Sequence, residues 1–450
     1  MKKSATPLLE AGKRKCPEKE SPWFWIPTLY IAEGLPYFAV NVLTVLMYVK
    51  LNVPLAKMAF FTGWLYLPWV IKPFWSPFVD LFSTKRNWTL AMQLLLAVTM
   101  AGVAFMLPTS MFFSATLCFF WLMAFFSATH DIAADGYYML ELSPHDQAAF
   151  VGVRSTFYRI ASVIGQGGLV MMAGWFETRC DSPASAWSAV FSILSAFFLL
   201  IFLYHYKFMP RAASDRPATE TSAAGIIKNF GMTFVTFFRK PGIAGALVFM
   251  LLYRLPEALC IKMVQPFLAA PLSEGGLGLS TARIGFANGT VGVVALLAGG
   301  IAGGIAISRG GLKKWLWPMA LSLSLPCIFY CWLAMVQPSS FPVICTAIGI
   351  EQFGYGFGFT AFMLYLIYFS RGESQTSHYA FCTAFMALGM MIPGMFAGHI
   401  HNGLAQFNPF GLPGPQGFIN FFWVVMGACG ATLVACTLVK IDSSFGKKTE

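Results

Sequence analysis

The sequence predicts an all-α membrane protein of twelve transmembrane helices, arranged as two bundles of six, and three observations carry that prediction. Hydrophobic residues make up 57% of the 450-residue chain and charged residues only 11%, against roughly 25% charged in soluble domains. Apolar runs of the ~20 residues needed to cross a bilayer recur along the whole chain between charged, Pro-rich or Gly-rich breaks. A basic link near residues 207–241 divides those runs evenly.

In order, the runs lie near 23–49, 56–80, 88–107, 112–140, 149–173, 186–206, 242–270, 283–307, 314–336, 341–369, 378–400 and 417–439. Residues 1–22 then form an N-terminal tail, 23–206 the first bundle, 207–241 the link, 242–439 the second bundle and 440–450 a C-terminal tail. The first run follows a polar start and precedes no small-residue cleavage site, so it reads as a spanning helix and not as a signal peptide. The eighth carries "AGGIAGGIA", whose glycines at four-residue spacing suit close helix approach. Most of the ten cysteines sit inside apolar runs, with no disulfide-like or zinc-like spacing, and read as small apolar fillers.

Lys and Arg set the orientation, because cytoplasmic loops of membrane proteins carry an excess of them. With the N-terminus inside, the tails, the link and the other inside connections hold 21, against Lys50, Lys57, Arg179 and Arg283 outside. Both termini are therefore expected in the cytoplasm. The net charge of +11 reports topology and calls for no nucleic-acid partner. No G-x-x-x-x-G-K-[ST] phosphate loop, HExxH or GxSxG stretch occurs, so neither an ATP-driven pump nor an enzyme is expected, and no cofactor or metal is implied. An acyl-transfer pair of His130 and Asp131 is disfavoured because adjacent residues on a helix do not face each other.

The spans retain ionisable residues: Glu33, Lys72, Asp131, Asp135, Arg154, Arg159, Arg254, Glu257, Lys262 and Glu351. Such groups are costly in hydrocarbon and tend to face a bundle interior or a water-filled cavity. Asp131 and Asp135, four apart, share a helix face. Counted from the ends of the fourth and fifth spans, Asp135 matches Arg154 in depth and Asp131 matches Arg159. Two ion pairs are expected there, acting either as structural closures of the cytoplasmic side or directly on substrate and protons. Glu33 in "YIAEGLPYF" lies where Gly34 and Pro36 loosen the helix, and it suits reversible protonation, as does Glu351 in "GIEQFGYGFGF". In "YRLPEALCIKM", Arg254 and Glu257 can pair at i,i+3, while Lys262 has no local partner. Arg159, Arg254 and Lys262 together predict a cationic centre that holds an anionic solute, with Tyr30, Tyr37 and Tyr355 available to stack on sugar rings or to pack.

Between the second and third spans, "SPFVDLFSTKR" places Asp80 before Lys85 and Arg86, and resembles a degenerate form of the cytoplasmic loop signature of the major facilitator superfamily. These residues, with Arg154, are expected in gating or structural roles. The segments "KPFWSPFVD", "SATHDIAADGYYM" and "EQFGYGFGFTAF" resemble more specifically the AmpG-type muropeptide permeases and their relatives, the acetyl-coenzyme A transporters. In that family the fourth helix commonly reads S-A-T-Q-D-I-x-x-D-[AG]-Y/W. Ser127, Ala128, Thr129, Asp131, Ile132, Asp135 and Tyr137 match it, His130 stands where Gln is usual, and Gly136 is closer to the acetyl-coenzyme A branch.

The resemblance implies a major facilitator fold and proton-driven import of 1,6-anhydro-muropeptides across a bacterial inner membrane, by a chain acting as a monomer. Acetyl-coenzyme A or another anionic metabolite is the alternative cargo, and a receptor that binds without transport is a further one. Proton-coupling candidates are Glu33, Asp131, Asp135, Glu257 and Glu351. Substrate-binding candidates are Arg159, Arg254, Lys262, Tyr30, Tyr37 and Tyr355.

Overall fold

The computed structural model describes residues 21–142, 144–211, 215, 223–372, 375–408, 414–442 and 445–446, apart from a few helix side chains such as that of Asp80. Among them the regular structure is helical, with no strand. Ten helices are long and apolar enough to cross a membrane. They are α1 (Pro22–Lys50), α4 (Lys85–Met106), α5 (Phe112–Glu141), α7 (Pro183–Phe208), α9 (Ile243–Ala269), α10 (Thr281–Gly310), α11 (Leu312–Val336), α12 (Phe341–Ser370), α13 (Gln375–Leu404) and α14 (Gly417–Thr437).

The second and fifth expected spans are not in that set, for two different reasons. The second is broken at Leu65-Tyr66, just before Pro68, into α2 (Leu55–Trp64) and α3 (Leu67–Phe82). The fifth, α6 (144–177), is helical throughout but carries Arg154, Arg159 and a glycine-rich π-helical turn at Ile164–Gly168. The link contains a helix, α8 (Ala223–Phe238), whose Phe237 is fully buried against Phe369, Phe381 and Phe385.

Chain direction alternates, so the turns at 51–54, 107–111, 178–182, 271–280 and 337–340 gather on one face, called outer here after the charge asymmetry, and those at 83–84 and 311 on an inner face. At the inner face the link is tied to α4. The Asp215 carboxylate accepts from the Lys85 and Arg86 backbone N–H groups at 2.7 and 2.9 Å, as an anion should at a helix N-terminus. The Arg86 guanidinium donates to the carbonyls of Met209, just beyond the end of α7, and Tyr206, in its last turn, at 2.9 and 2.7 Å. Lys85 and Arg86 are thereby buried as structural fasteners. The side chain of Asp80 lies outside the described residues.

The glycine stripe of α10 packs as its spacing predicts: a Cβ at Gly299 would collide with the Phe353 carbonyl of α12. The nine described cysteines are all free, and seven are buried.

Candidate functional site

A cavity of about 670 Å³ lies between the helices preceding the link and those following it. Its walls come from α1, α3, α5 and α6 on one side and α9, α10, α12 and α13 on the other. Five carboxyl groups line it (Glu33, Asp131, Asp135, Glu257, Glu351), with four cations (Lys72, Arg154, Arg159, Arg254).

On the N-terminal side the charges form a chain of contacts. Arg154 Nη2 lies 2.8 Å from Asp135 Oδ1, the pairing that helix depth predicts. Because α1 packs against both α5 and α6, it contributes the third member: the Tyr30 hydroxyl donates to Asp135 Oδ1 at 3.1 Å, and the Arg154 guanidinium stacks 4.7 Å from the Tyr30 ring centroid. The second expected pair is corrected. Asp131 takes Lys72 of α3, with Nζ 2.5 Å from Oδ2, and not Arg159. The reason is angular: at ~100° per residue, Arg154 and Arg159 point about 140° apart around α6, whereas Asp131 and Asp135 are only about 40° apart around α5. Arg159 instead faces the cavity, exposed, and makes no ion pair among the described residues.

Glu33 sits between these pairs. It is 8% exposed, and its Oε2 has no hydrogen-bond partner among the described residues. Asp131 and Asp135 lie within electrostatic reach of it. Three carboxyls therefore share two paired cations on this wall.

The C-terminal wall is more complete. Arg254 grips Glu257 through two parallel bonds, Nε to Oε2 at 2.8 Å and Nη2 to Oε1 at 3.0 Å, and Nη2 also donates to the Tyr355 hydroxyl at 2.7 Å. The Phe359 ring lies 4.7 Å from the same guanidinium. Glu351 accepts from the Tyr330 hydroxyl at 2.9 Å and from Gln352 Nε2 at 2.8 Å. Aromatic groups complete the middle of the cavity, where Tyr37 meets Trp69 edge to face at 5.3 Å.

Lys262 is the displaced member of the expected cationic centre. It is fully buried outside the cavity lining, donating to the Thr62 carbonyl at 3.2 Å and lying 5.2 Å from the Tyr66 ring. With Lys262 removed and Arg254 matched by Glu257, the expected cationic surplus is absent, and the cavity has more carboxyls than cations. His130 also faces away from the cavity. Its Nε2 meets Gln93 at 3.0 Å, and Gln93 meets His205 at 3.1 Å, in a buried polar chain that fastens α4, α5 and α7 together.

Lys72 is legible in the sequence as an intramembrane charge, but its role is not, because its partner lies 59 positions away. The uncharged polar residues of the wall are not legible at all. Lysine followed by proline inside an apolar run was the available signal for the first; no charge marked the second.

A sequence profile described as the Major Facilitator Superfamily matches residues 27–394. The chain belongs to the major facilitator superfamily. Among curated relatives of this superfamily member, an anhydromuropeptide permease of Escherichia coli K12 is 25% identical over 355 residues, covering 77% of this chain and 67% of that protein. An uncharacterized protein of Haemophilus influenzae is 23% identical over 407 residues, 87% of this chain and 88% of its own. A putative AmpG 4 transporter of Rickettsia conorii is 24% identical over 348 residues, 75% and 80%. Among solved structures, a D-xylose–proton symporter superposes with a TM-score of 0.70 at 13% identity, over 95% of this chain and 99% of that one. A bacterial homologue of the lysosomal transporter Spinster, inward-facing and unoccupied, gives 0.69 at 15% identity, over 93% and 96%. The protein is thus a multi-pass membrane transporter of the major facilitator fold and not an enzyme.

Proposed function

We propose that this transporter is a proton-coupled importer of the bacterial inner membrane that carries a bulky, sugar-containing anion, with 1,6-anhydro-muropeptides as cargo. In this reading the chain spans the membrane twelve times as a monomer, both termini are cytoplasmic, and the bundles before and after the link rock about the cavity. The observation that carries the reading is the pairing pattern of the wall: among the described residues, Arg159 is a cavity cation without an ion pair, and Glu33 a buried carboxyl without one.

Charge balance explains why these two residues belong together. With all lining carboxyls ionised, five anions face four cations, and a solute carboxylate meets a net negative site. With a proton on each of Glu33 and Glu351, four cations face three carboxylates, and Arg159 can take the solute. Proton and anion then enter together, and deprotonation favours release. The sign of the pH dependence follows: solute affinity rises as pH falls. A cavity of this volume accommodates a ligand of several hundred daltons, and its aromatic lining offers surfaces for sugar rings.

Coenzyme A thioesters remain the competing cargo by family likeness. Their clustered phosphates would need more than the one free guanidinium, which supports the muropeptide reading.

The test is uptake of radiolabelled anhydro-muropeptide into proteoliposomes, with and without an inward proton gradient and with acetyl-coenzyme A as competitor. Wild type should accumulate label only with the gradient, and Glu33→Gln should lose accumulation at least tenfold while retaining downhill exchange. Saturable binding without uptake would indicate a receptor. Competition by acetyl-coenzyme A with no muropeptide uptake would discard the cargo.

A further inference from the structure

Behind the charged groups, toward the outer face, the same cavity carries four carboxamides besides Gln352, whose Nε2 donates to Glu351: Asn41, Gln166, Gln265 and Asn288. Their placement in the backbone is not random. Three of them sit in π-helical turns, at Ala39–Leu43 of α1, Ile164–Gly168 of α6 and Gly285–Gly292 of α10. Such turns are rare inside helices and recur at functional positions. The fourth, Gln265, directly precedes Pro266 within α9, where the missing N–H interrupts the helix ladder.

Asn41 and Gln265 are nearly as buried as side chains can be, at 1% and 6% exposure, yet Asn41 Oδ1 and Gln265 Oε1 accept no hydrogen bond among the described residues. The orientation of Asn41 is set by its other end. Its Nδ2 donates to the Tyr37 carbonyl at 3.1 Å, and because a carbonyl can only accept, the oxygen must be the atom turned away from it. Gln166 is tethered within its own helix, its Nε2 lying 2.8 Å from Ser162 Oγ. Buried acceptors without donors are uncommon because they lose water and gain nothing. Both residues line one cavity, so a small turn of either side chain would offer its acceptor to hydroxyl or amide N–H groups there.

Spacing gives the subsite its position. Asn41 lies eight residues outward of Glu33, Gln265 eight outward of Glu257, and Gln166 seven outward of Arg159. At ~1.5 Å per residue the amides stand about 10–12 Å from the charged groups, a separation that two linked sugar rings can bridge. The turns of α6 and α10 cross at Gly167 and Gly289, where a Cβ on Gly289 would run into the opposing backbone. Gln166 and Asn288, each beside that crossing, therefore come from opposite sides of the cavity.

We propose that Asn41, Gln166, Gln265 and Asn288 form an uncharged hydrogen-bonding subsite at the outer end of the cavity, which takes the hydroxyl and N-acyl groups of the solute. The subsite deepens the transport reading above and rests on it only for the identity of the natural cargo. An anion anchored at Arg159 would be selected by what its neutral end offers the amides. An anion of the same charge without hydroxyl or N-acyl groups would bind more weakly.

The experiment uses the purified full chain and three probes: neutral N,N′-diacetylchitobiose, anhydro-muropeptide and acetyl-coenzyme A. Binding is followed by tryptophan fluorescence, for which Trp69 in the cavity wall is the natural reporter. Wild type should bind the neutral disaccharide at millimolar concentration. Asn41→Leu and Gln265→Leu should each weaken it about tenfold, the loss of one hydrogen bond to a buried partner, while leaving the pH dependence of anion binding unchanged. Gln265→Leu decides the matter if Asn41→Leu disturbs the fold through the Tyr37 carbonyl. Unaltered disaccharide binding in a monodisperse variant, or no binding to wild type, overturns the subsite. Amide-dependent disaccharide binding in a wild type that neither binds nor imports muropeptide would leave the subsite standing and remove the cargo.

Discussion

The two charged walls of the cavity use the same residue types in different states of completion. On α9 the acid and the base match one to one, the guanidinium is bidentate, and the side chains are only 11% and 14% exposed. On the opposite wall, Lys72 with Asp131 and Arg154 with Asp135 are 20–36% exposed, and a third carboxyl, Glu33, makes no ion pair among the described residues. A complete, drier pair holds its helix in place. An incomplete, wetter network can gain a proton or an anion without being dismantled. The difference points to structural work for the Arg254–Glu257 pair, and under the proposed function exchange falls to the N-terminal wall together with Glu351.

The largest effect is expected from breaking the complete pair. Arg254→Gln leaves Glu257 in a poorly hydrated site with the Tyr355 hydroxyl as its nearest help. Removing one partner of such a pair typically destabilises by about 3–5 kcal/mol, so thermal unfolding in detergent should shift markedly downward. Replacing both residues, Arg254→Gln with Glu257→Gln, should recover most of that loss, because no uncompensated charge remains. Equal stability of the single variant and wild type would erase the contrast between the walls.

How much of this could be read in advance depended on how local each interaction is. Arg254 and Glu257 are three positions apart on one helix, and their pairing follows from helical spacing alone. Asp135 with Arg154 was legible because two helices joined by a short turn can be compared in depth. The partner of Asp131 was not, since depth matching ignores direction around the helix, and Lys72 arrives from a third helix far away in sequence. Lys262 looked like a cavity cation because hydropathy reports span position but not which way a side chain points. The break at Leu65-Tyr66 was hidden within one apolar run, and the helix within the link was masked by its polar surroundings. The amides carry no charge, so nothing in the charge pattern of the spans marks them.

The next effect separates binding from stability. Arg159 touches no ion pair and is exposed to the cavity, so Arg159→Gln should leave the unfolding temperature almost unchanged. If it holds the solute anion, the lost charge-assisted contact is worth about 1.5–3 kcal/mol, and KM for uptake should rise roughly 10- to 100-fold with little change in the maximal rate. A variant with unchanged KM would move the anion site to one of the paired cations and make the N-terminal wall as closed as the other.

The smallest effect is expected from exchanging Asp135 and Arg154, and it tests how far the N-terminal wall is mere scaffolding. The exchanged protein keeps one acid and one base between α5 and α6 and leaves Glu33 and the Lys72–Asp131 pair untouched. It loses the Tyr30 hydroxyl bond to the carboxylate and the stacking of the guanidinium on that ring, together on the order of 1 kcal/mol. If the pair only ties the two helices together past α1, gradient-driven uptake should persist within a fewfold of wild type. If uptake is abolished while folding is normal, the identity of the group at each position matters. Asp135 then joins Glu33 among the residues that exchange protons or meet the solute, because a latch is indifferent to which side carries the charge and a proton site is not.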